Sequence, residues 1–303
     1  MKPLQASSGD MLADRRADYA EMLFSSGDHA AAADLMQGAL ELAPGWAPGW
    51  FRLGEMQEAA GRLDAAAAAW RTALQLDPAD RLGAALRLAL IGQLPPDVAP
   101  PSAFVEALFD QYADTFDAAL LEKLAYRVPA LLSEAIQRQG KRIFCLALDL
   151  GCGTGLMGEM LRPVAARLEG FDISARMLAK ARAKGLYDAL EKADLQDFRY
   201  AGERADLVAA ADVFMYVGAL DRVVKTVAGM LAPDGLFAFS VEKWAGAGDF
   251  ALQPSRRYAH GEAYIRRVLA NENLLVASME EHAIRKDRGE PVTGLIVVAR
   301  PFH

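Results

Sequence analysis

Asp149, Gly151, Gly153 and Gly155 stand at alternate positions directly after the apolar run 143–148. The run reads as a buried strand and the stretch from Leu156 as a helix, so the glycines fall in the turn between them. Glycine lets a backbone turn sharply and pass close to a ligand with no Cβ in the way. An acid at the mouth of such a turn repels a phosphate and attracts a cation. A second acid, Asp172, lies 23 residues on, where the next predicted strand ends. Gly153, Gly155 and Gly158 also satisfy G-x-G-x-x-G, the dinucleotide fingerprint. In that motif the first glycine follows the strand at once. Here Asp149 and Gly151 come first, and Asp149 would face a pyrophosphate it repels. The turn suits a cationic ligand better.

Two later segments carry groups that could act on a second reactant. Asp212-Val213-Phe214-Met215-Tyr216 follows a predicted strand over 206–211. Asp212 could position a substrate, and Phe214 and Tyr216 could line its pocket or pack the helix beyond. The segment from Trp244 to His260 reads as a long loop, and long loops inside compact domains are commonly functional. It brings Arg256, Arg257, Tyr258 and His260 together. Two arginines favour a small anionic acceptor, because a guanidinium grips a carboxylate with two parallel bonds. His260 titrates in a range suited to accepting a proton, or it caps the helix that starts near Gly261. Tyr258, His260, Tyr216 and Asp212 are thus the candidate catalytic residues. His29, His282 and His303 are scattered and form no metal constellation.

These residues need elements to hold them. Short apolar strands are expected over 143–149, 167–172, 206–211 and 235–241, with two more over 274–284 and 295–299 joined by a charged link over 285–290. Helices alternate with them over 156–166, 175–185, 221–231 and 262–270. That alternation predicts an α/β, doubly wound sheet, whose ligands bind at the carboxyl ends of the strands. Asp149, Asp172 and Asp212 all fall on that edge. Three helical stretches, 103–113, 116–124 and 129–138, precede the sheet.

The first third of the chain differs. Gly27 and Gly61, Ala32 and Ala66, Ala39 and Ala73, and Pro44 and Pro78 are each 34 residues apart. A 34-residue period of helix-turn-helix units marks tetratricopeptide repeats, with a third partial helix over 81–91 as a cap. Trp50, Leu53, Gly54, Ala66, Trp70, Ala73 and Pro78 fit the pattern, while Gln57 replaces its usual Tyr. Such an arm could bind a protein partner, pack on the rest of the chain, or form a homodimer. Four prolines in 94–101 stiffen a link. The expected organisation is a small all-α repeat domain over 1–94, a Pro-rich linker over 95–101, and an α/β domain over 102–303.

Charge narrows the partners. Net charge is −7, and neither part is basic: residues 1–99 hold 8 basic and 13 acidic side chains, residues 100–303 hold 25 and 27. That argues against nucleic acid. No run approaches about 18 uninterrupted apolar residues, and 1–10 lacks the apolar core of a signal peptide, so no membrane partner and a cytoplasmic location are expected. Cys145 and Cys152 read as reduced and buried.

Asp149-x-Gly151-x-Gly153-x-Gly155, with Asp172 at the next strand end, resembles motif I of the class I S-adenosylmethionine-dependent methyltransferases. The resemblance implies a Rossmann-like, seven-stranded sheet and S-adenosylmethionine as cofactor, in a turn made by Gly151, Cys152, Gly153, Thr154 and Gly155. It implies that Asp172 binds the ribose hydroxyls and that Ile173 and Met177 pack on the adenine. Lys192-Ala193-Asp194-Leu195 is similar to the adenine motif, with Asp194 accepting from the amino group and the Leu195 backbone against the ring. The stretch 109–117, from Phe109 to Asp117, resembles a segment of quinone C-methyltransferases and malonyl-carrier O-methyltransferases. There Tyr112 and Phe116, four apart on one helix face, would form a lid, with Tyr112 reaching the cofactor's carboxylate. Arg127 would meet that carboxylate or an acidic substrate. Lys184-Gly185-Leu186-Tyr187 is similar to methyltransferase-like proteins of the Williams–Beuren region. Together with the repeats, the chain resembles bacterial tetratricopeptide-repeat methyltransferases. The implied activity is methyl transfer to a small acceptor. The alternative is a cofactor-binding scaffold whose repeats bind a protein and which does not turn over.

Overall fold

The computed structural model describes residues 7–114, 116–118, 124–140, 143–287 and 289–302. The chain divides into two compact units, Met1–Phe104 and Val105–His303.

The first unit is helical: α1 Met11–Ser25, α2 His29–Leu42, α3 Ala47–Ala59, α4 Leu63–Leu76 and α5 Ala84–Leu90. Asp10 caps α1 by accepting from the N–H groups of Leu12 and Ala13, and Asp28 caps α2 through Ala31. Small residues let helices approach. A Cβ on Gly54 would lie 2.3 Å from Trp70 Nε1, so α3 must carry glycine where the indole crosses it. Trp70 is fully buried and its Nε1 donates to Phe51 O at 3.1 Å. Segment 91–101 holds turns and irregular chain, and the division between the units falls inside α6 Ser102–Tyr112.

The second unit is an α/β sheet. Its strands are β1 Phe144–Leu150, β2 Ala165–Asp172, β3 Ala189–Lys192, β4 Ala205–Ala210, β5 Leu231–Lys243, β6 Phe250–Leu252, β7 Tyr258–His260, β8 Leu274–Asp287 and β9 Glu290–Pro301. The order β3-β2-β1-β4-β5 is parallel throughout. β9 pairs antiparallel with β5 on one side and β8 on the other. Those seven strands make the expected sheet, and β6 and β7 add a small hairpin at the end of β5. Alternate strand residues serve opposite cores. Leu146, Leu148 and Leu150 pack with Val224 and Val227 of α11 Asp221–Met230 and Ile265 of α12 Glu262–Asn271. Ala147, Leu207 and Ala238 pack with Leu132 of α8 Val128–Gln137 and Met157 of α9 Leu156–Leu161. Both faces are covered, as an all-parallel centre requires.

Several expectations are corrected. The helix expected over 156–166 stops at Leu161; Pro163 lies in a 3-10 turn, Arg162–Val164, and β2 starts at Ala165. β3 escapes a hydrophobic reading because it is a four-residue edge strand with three exposed side chains. The charged link 285–290 is largely strand. Cys145 is exposed: β1 is open on one face only at its amino end. Tyr112 ends α6 while Phe116 opens α7 Phe116–Ala118, so the two do not share a helix. Part of the helix expected over 116–124 lies outside the described residues.

Candidate functional site

The parallel strands carry their last residues to one edge. Asp149 pairs with Gly170 on β2 and with Ala209 on β4, and Asp172 pairs with Lys192. Gly151, Gly153 and Gly155 have φ of +66°, +53° and +92°, a left-handed run that disfavours side chains. The turn is bonded shut: Cys152 N–H donates to Phe171 O at 2.9 Å, and Gly155 N–H to Cys152 O at 2.8 Å. Cys152 is buried, and burial pushes its thiol well up.

Asp172 organises this turn. Its Oδ2 accepts from Gly153 N–H and its Oδ1 from Ser174 N–H, both at 2.8 Å. Burial raises its pKa to about 6 against the pull of those donors. A carboxylate has about four acceptor positions, so two remain for a ligand. Asp149 is fully buried. Its Oδ2 accepts from the Tyr187 hydroxyl at 2.6 Å, while Oδ1 has no hydrogen-bond partner among the described residues. Burial lifts its pKa to about 7 and Tyr187 opposes that. A buried carboxylate oxygen left open beside a positive-φ turn is the place for a cationic donor. On that observation the residues fit the expected cofactor.

β3 brings Asp194 and Leu195 to the same edge, and Ala193 N–H donates to Asp172 O at 2.9 Å. Asp194 Oδ1 accepts from Gln196 N–H at 2.9 Å, and Leu195 is partly buried against the core. Ile173 is half-buried beside Asp172, and Met177 is buried in α10 Ala175–Lys184.

Residues 109–114 and 116–117 are strapped over this edge. Phe116 lies over Gly153, at 3.9 Å from the position of a Cβ there. Thr154 Oγ1 bonds Asp117, and Lys184 reaches Asp117 at 3.0 Å. Ser174 Oγ donates to Asp110 at 2.5 Å while accepting from Met177 N–H, so one hydroxyl caps α10 and anchors the strap. Phe109 meets the edges of Phe116 and Tyr216, with ring centroids 6.0 and 5.2 Å apart. Tyr112 is half-buried and within the electrostatic reach of Arg256, which lowers its phenol pKa against the larger effect of burial.

Past the turn lies a charged network that local sequence does not announce. Asp212, at φ +59° after β4, takes both carboxylate bonds from Arg285 Nη1, at 2.6 and 2.8 Å. Arg285 Nη2 pairs with Glu242 of β5. Arg257 Nε is 2.8 Å from Glu242, and its Nη2 is 2.5 Å from Asp287. Arg285 and Glu242 are both buried, and Asp212 and Glu242 hold the guanidinium above its usual range against burial. Tyr216 and Tyr126 border the network, and burial raises both phenols. Segment 124–127 runs along β8: Arg127 N–H donates to Ile284 O, and Lys286 N–H to Leu124 O. The Arg127 side chain is exposed.

The expected loop at 244–260 is the β6–β7 hairpin, and its residues are placed differently from expectation. Tyr258 and His260 are each fully buried. His260 Nε2 donates to Gly218 O at 2.7 Å, and its ring stacks on Tyr264 with centroids 6.1 Å apart. Burial drives its pKa down to about 4. Nor does it cap α12, whose N-cap is Gly261. Alternation explains the error: β7 turns these side chains into the core between α12 and the 3-10 turn Phe214–Tyr216. The structure therefore joins Asp212 and Tyr216 to Arg285, Glu242 and Arg257, and sets Tyr258 and His260 apart.

Residues 148–239 match the family described as methyltransferase domain, and residues 47–80 match the tetratricopeptide repeat. The chain carries a methyltransferase domain behind a tetratricopeptide repeat. The methyltransferase match spans β1 to β5 and so includes the turn and both acids. The malonyl-[acyl-carrier protein] O-methyltransferase of Enterobacter lignolyticus is 32% identical over 99 residues, 33% of this chain and 39% of that protein. The trans-aconitate 2-methyltransferase of Pseudomonas paraeruginosa is 36% identical over 107 residues, 34% and 38%. The chain thus spans about two fifths of the length of these curated relatives. A chain from a solved Haloferax volcanii complex between a methyltransferase activator and a methyltransferase superposes with a TM-score of 0.52 at 19% identity, covering 64% of this chain and 98% of its own. That likeness concerns the fold of the methyltransferase domain. Among the described residues no helix is long and apolar enough to cross a membrane.

Proposed function

We propose that the second unit binds S-adenosylmethionine and transfers its methyl group to a small, carboxylate-bearing acceptor. The observation that carries this reading is the pair of acids at successive strand ends around a positive-φ turn, one holding a buried oxygen with no partner. Asp149 Oδ1 would take a cationic group, and the open positions on Asp172 the ribose hydroxyls. Asp194, Leu195 and Ile173 would receive the adenine. The cofactor supplies an already activated methyl on a sulfonium, so the chain has to supply alignment and a dry site. Phe109, Phe116 and Tyr216 exclude water at the strap. Asp212, bordered by Tyr216 and Tyr126 and fixed by Arg285, would position the acceptor through a donor group other than its carboxylate, which Asp212 repels. The relatives above are named for malonyl and aconitate acceptors, which supports a carboxylate-bearing class.

The repeats offer a surface for a protein partner or a second copy of the chain. The reading is tested by calorimetry with S-adenosylhomocysteine, followed by a screen of small carboxylic acids for S-adenosylhomocysteine release. Binding with turnover on a carboxylic acid supports it. Binding without turnover on any acceptor favours a scaffold, and no binding removes the cofactor assignment.

A further inference from the structure

Three glycines around the site, Gly155 of the turn among them, border one side chain, Tyr187. A Cβ on Gly158 would sit 2.3 Å from the Tyr187 hydroxyl oxygen, one on Gly170 2.8 Å from its ring, and one on Gly155 3.2 Å from its ring. Gly158 lies in α9, Gly170 in β2, and Gly155 at the N-cap of α9. The Tyr187 ring therefore threads a slot between a strand and a helix that side chains at Gly158 and Gly170 would block and one at Gly155 would crowd. The third glycine of the dinucleotide-like pattern, Gly158, is thus explained by a tyrosine and not by a phosphate. The neighbours of Tyr187 fix its approach. Asp188 Oδ2 accepts from Leu168 N–H and from Arg162 Nη1, both at 2.7 Å, and Arg162 Nη1 also donates to Leu186 O at 3.2 Å. At the end of the slot the hydroxyl meets one oxygen of Asp149 and leaves the other open.

We propose that Tyr187 is a positioning residue for the cofactor: by donating to Asp149 Oδ2 it fixes the carboxylate and presents Oδ1 to the cofactor's cationic part. This rests on the cofactor reading above. The other ionisable groups facing Asp149 are Asp172 at the end of β2, Cys152 in the turn and Tyr126 before α8. Burial keeps Cys152 and Tyr126 neutral around pH 7, and Asp172 titrates near 6. The Tyr187 hydroxyl is then the neighbour that favours the ionised form of Asp149.

The test is calorimetry with S-adenosylhomocysteine from pH 6 to 9 on the full chain and on Tyr187→Phe. Wild-type affinity should level off above about pH 7, where Asp149 is ionised. In Tyr187→Phe the levelling should move up by about one pH unit, with affinity about fivefold weaker at pH 7 and converging on wild type near pH 9. In an Asp149→Asn background the same change should alter affinity less than about twofold. If Tyr187→Phe does not fold, Gly158→Ala displaces the ring from its slot and should give the same shift. A loss parallel at every pH, or additive with Asp149→Asn, overturns the positioning role and leaves Tyr187 a packing residue. Failure of wild type to bind at any pH overturns the cofactor reading instead, and the positioning role with it.

Discussion

Asp172 is the residue on which cofactor affinity should turn most directly. Asp172→Ala removes the acceptor of two backbone N–H groups and, on the proposed reading, of the ribose, so affinity for S-adenosylhomocysteine is expected to fall by roughly 2–4 kcal/mol. Asp172→Asn keeps one acceptor and should lose less. Unchanged affinity in a folded Asp172→Ala protein would assign the ribose to another residue. His260 sets a second expectation, this one on stability. Its folded pKa is depressed from 6.5 to about 4, so the folded state stays neutral while the unfolded chain takes a proton. Its contribution is complete above pH 6.5 and is lost as pH falls towards 4, by up to about 3 kcal/mol. Denaturant melts at pH 7 and 4.5 should show a larger acid loss in wild type than in His260→Gln; equal losses would mean the imidazole is protonated in the fold. At this scale legibility depended on distance along the chain. The Asp149 turn could be read because its acid and glycines are contiguous. Tyr187 and Arg285 could not, since they reach Asp149 and Asp212 across 38 and 73 positions.

Strand and helix identities followed from periodicity, and the elements misread were those whose surroundings override it. β3 carries charge because it lies at an edge, the end of β8 carries Arg285 because it is paired with Asp212 and Glu242, and the β6–β7 hairpin resembled a loop because three-residue strands give no period. The strap over the turn is held by bonds of two kinds, which salt should separate. Asp114 pairs with Arg176 at 2.5 Å and Lys180 at 2.8 Å, all well exposed, whereas the Ser174–Asp110 bond is partly buried. Asp114→Asn should speed S-adenosylhomocysteine release at low salt and match wild type near about 1 M salt, where exposed pairs are screened. Asp110→Asn should stay faster at both. Stopped-flow release rates decide this, and identical rates for all three proteins would detach the strap from the ligand. The end of β8 carries a larger cost. Arg285→Ala leaves the partly buried Asp212 without its cation and the buried Glu242 with Arg257 alone, an expected loss of about 3–5 kcal/mol in chemical denaturation. A loss under about 1 kcal/mol would mean that water or another cation takes its place.

For the whole molecule, the division at Phe104 predicts that residues 100–303 fold and bind S-adenosylhomocysteine without the repeats. Circular dichroism and calorimetry on that fragment test it, and an unfolded product would make the repeats part of the catalytic fold. The repeat period was legible because each unit restates the last, while the reach of β8 into the site was not, because it depends on sheet order. That order has a consequence for synthesis. β9 follows β8 in the chain yet lies between β5 and β8. On a ribosome, β8 therefore emerges with no strand of the sheet to join, only segment 124–127 at its far end, until the strand made after it has been inserted against β5. Arg285 cannot meet Asp212 and Glu242 before that insertion. The growing chain thus assembles the part of the sheet around Asp149 and Asp172 first and completes the part around Arg285 last.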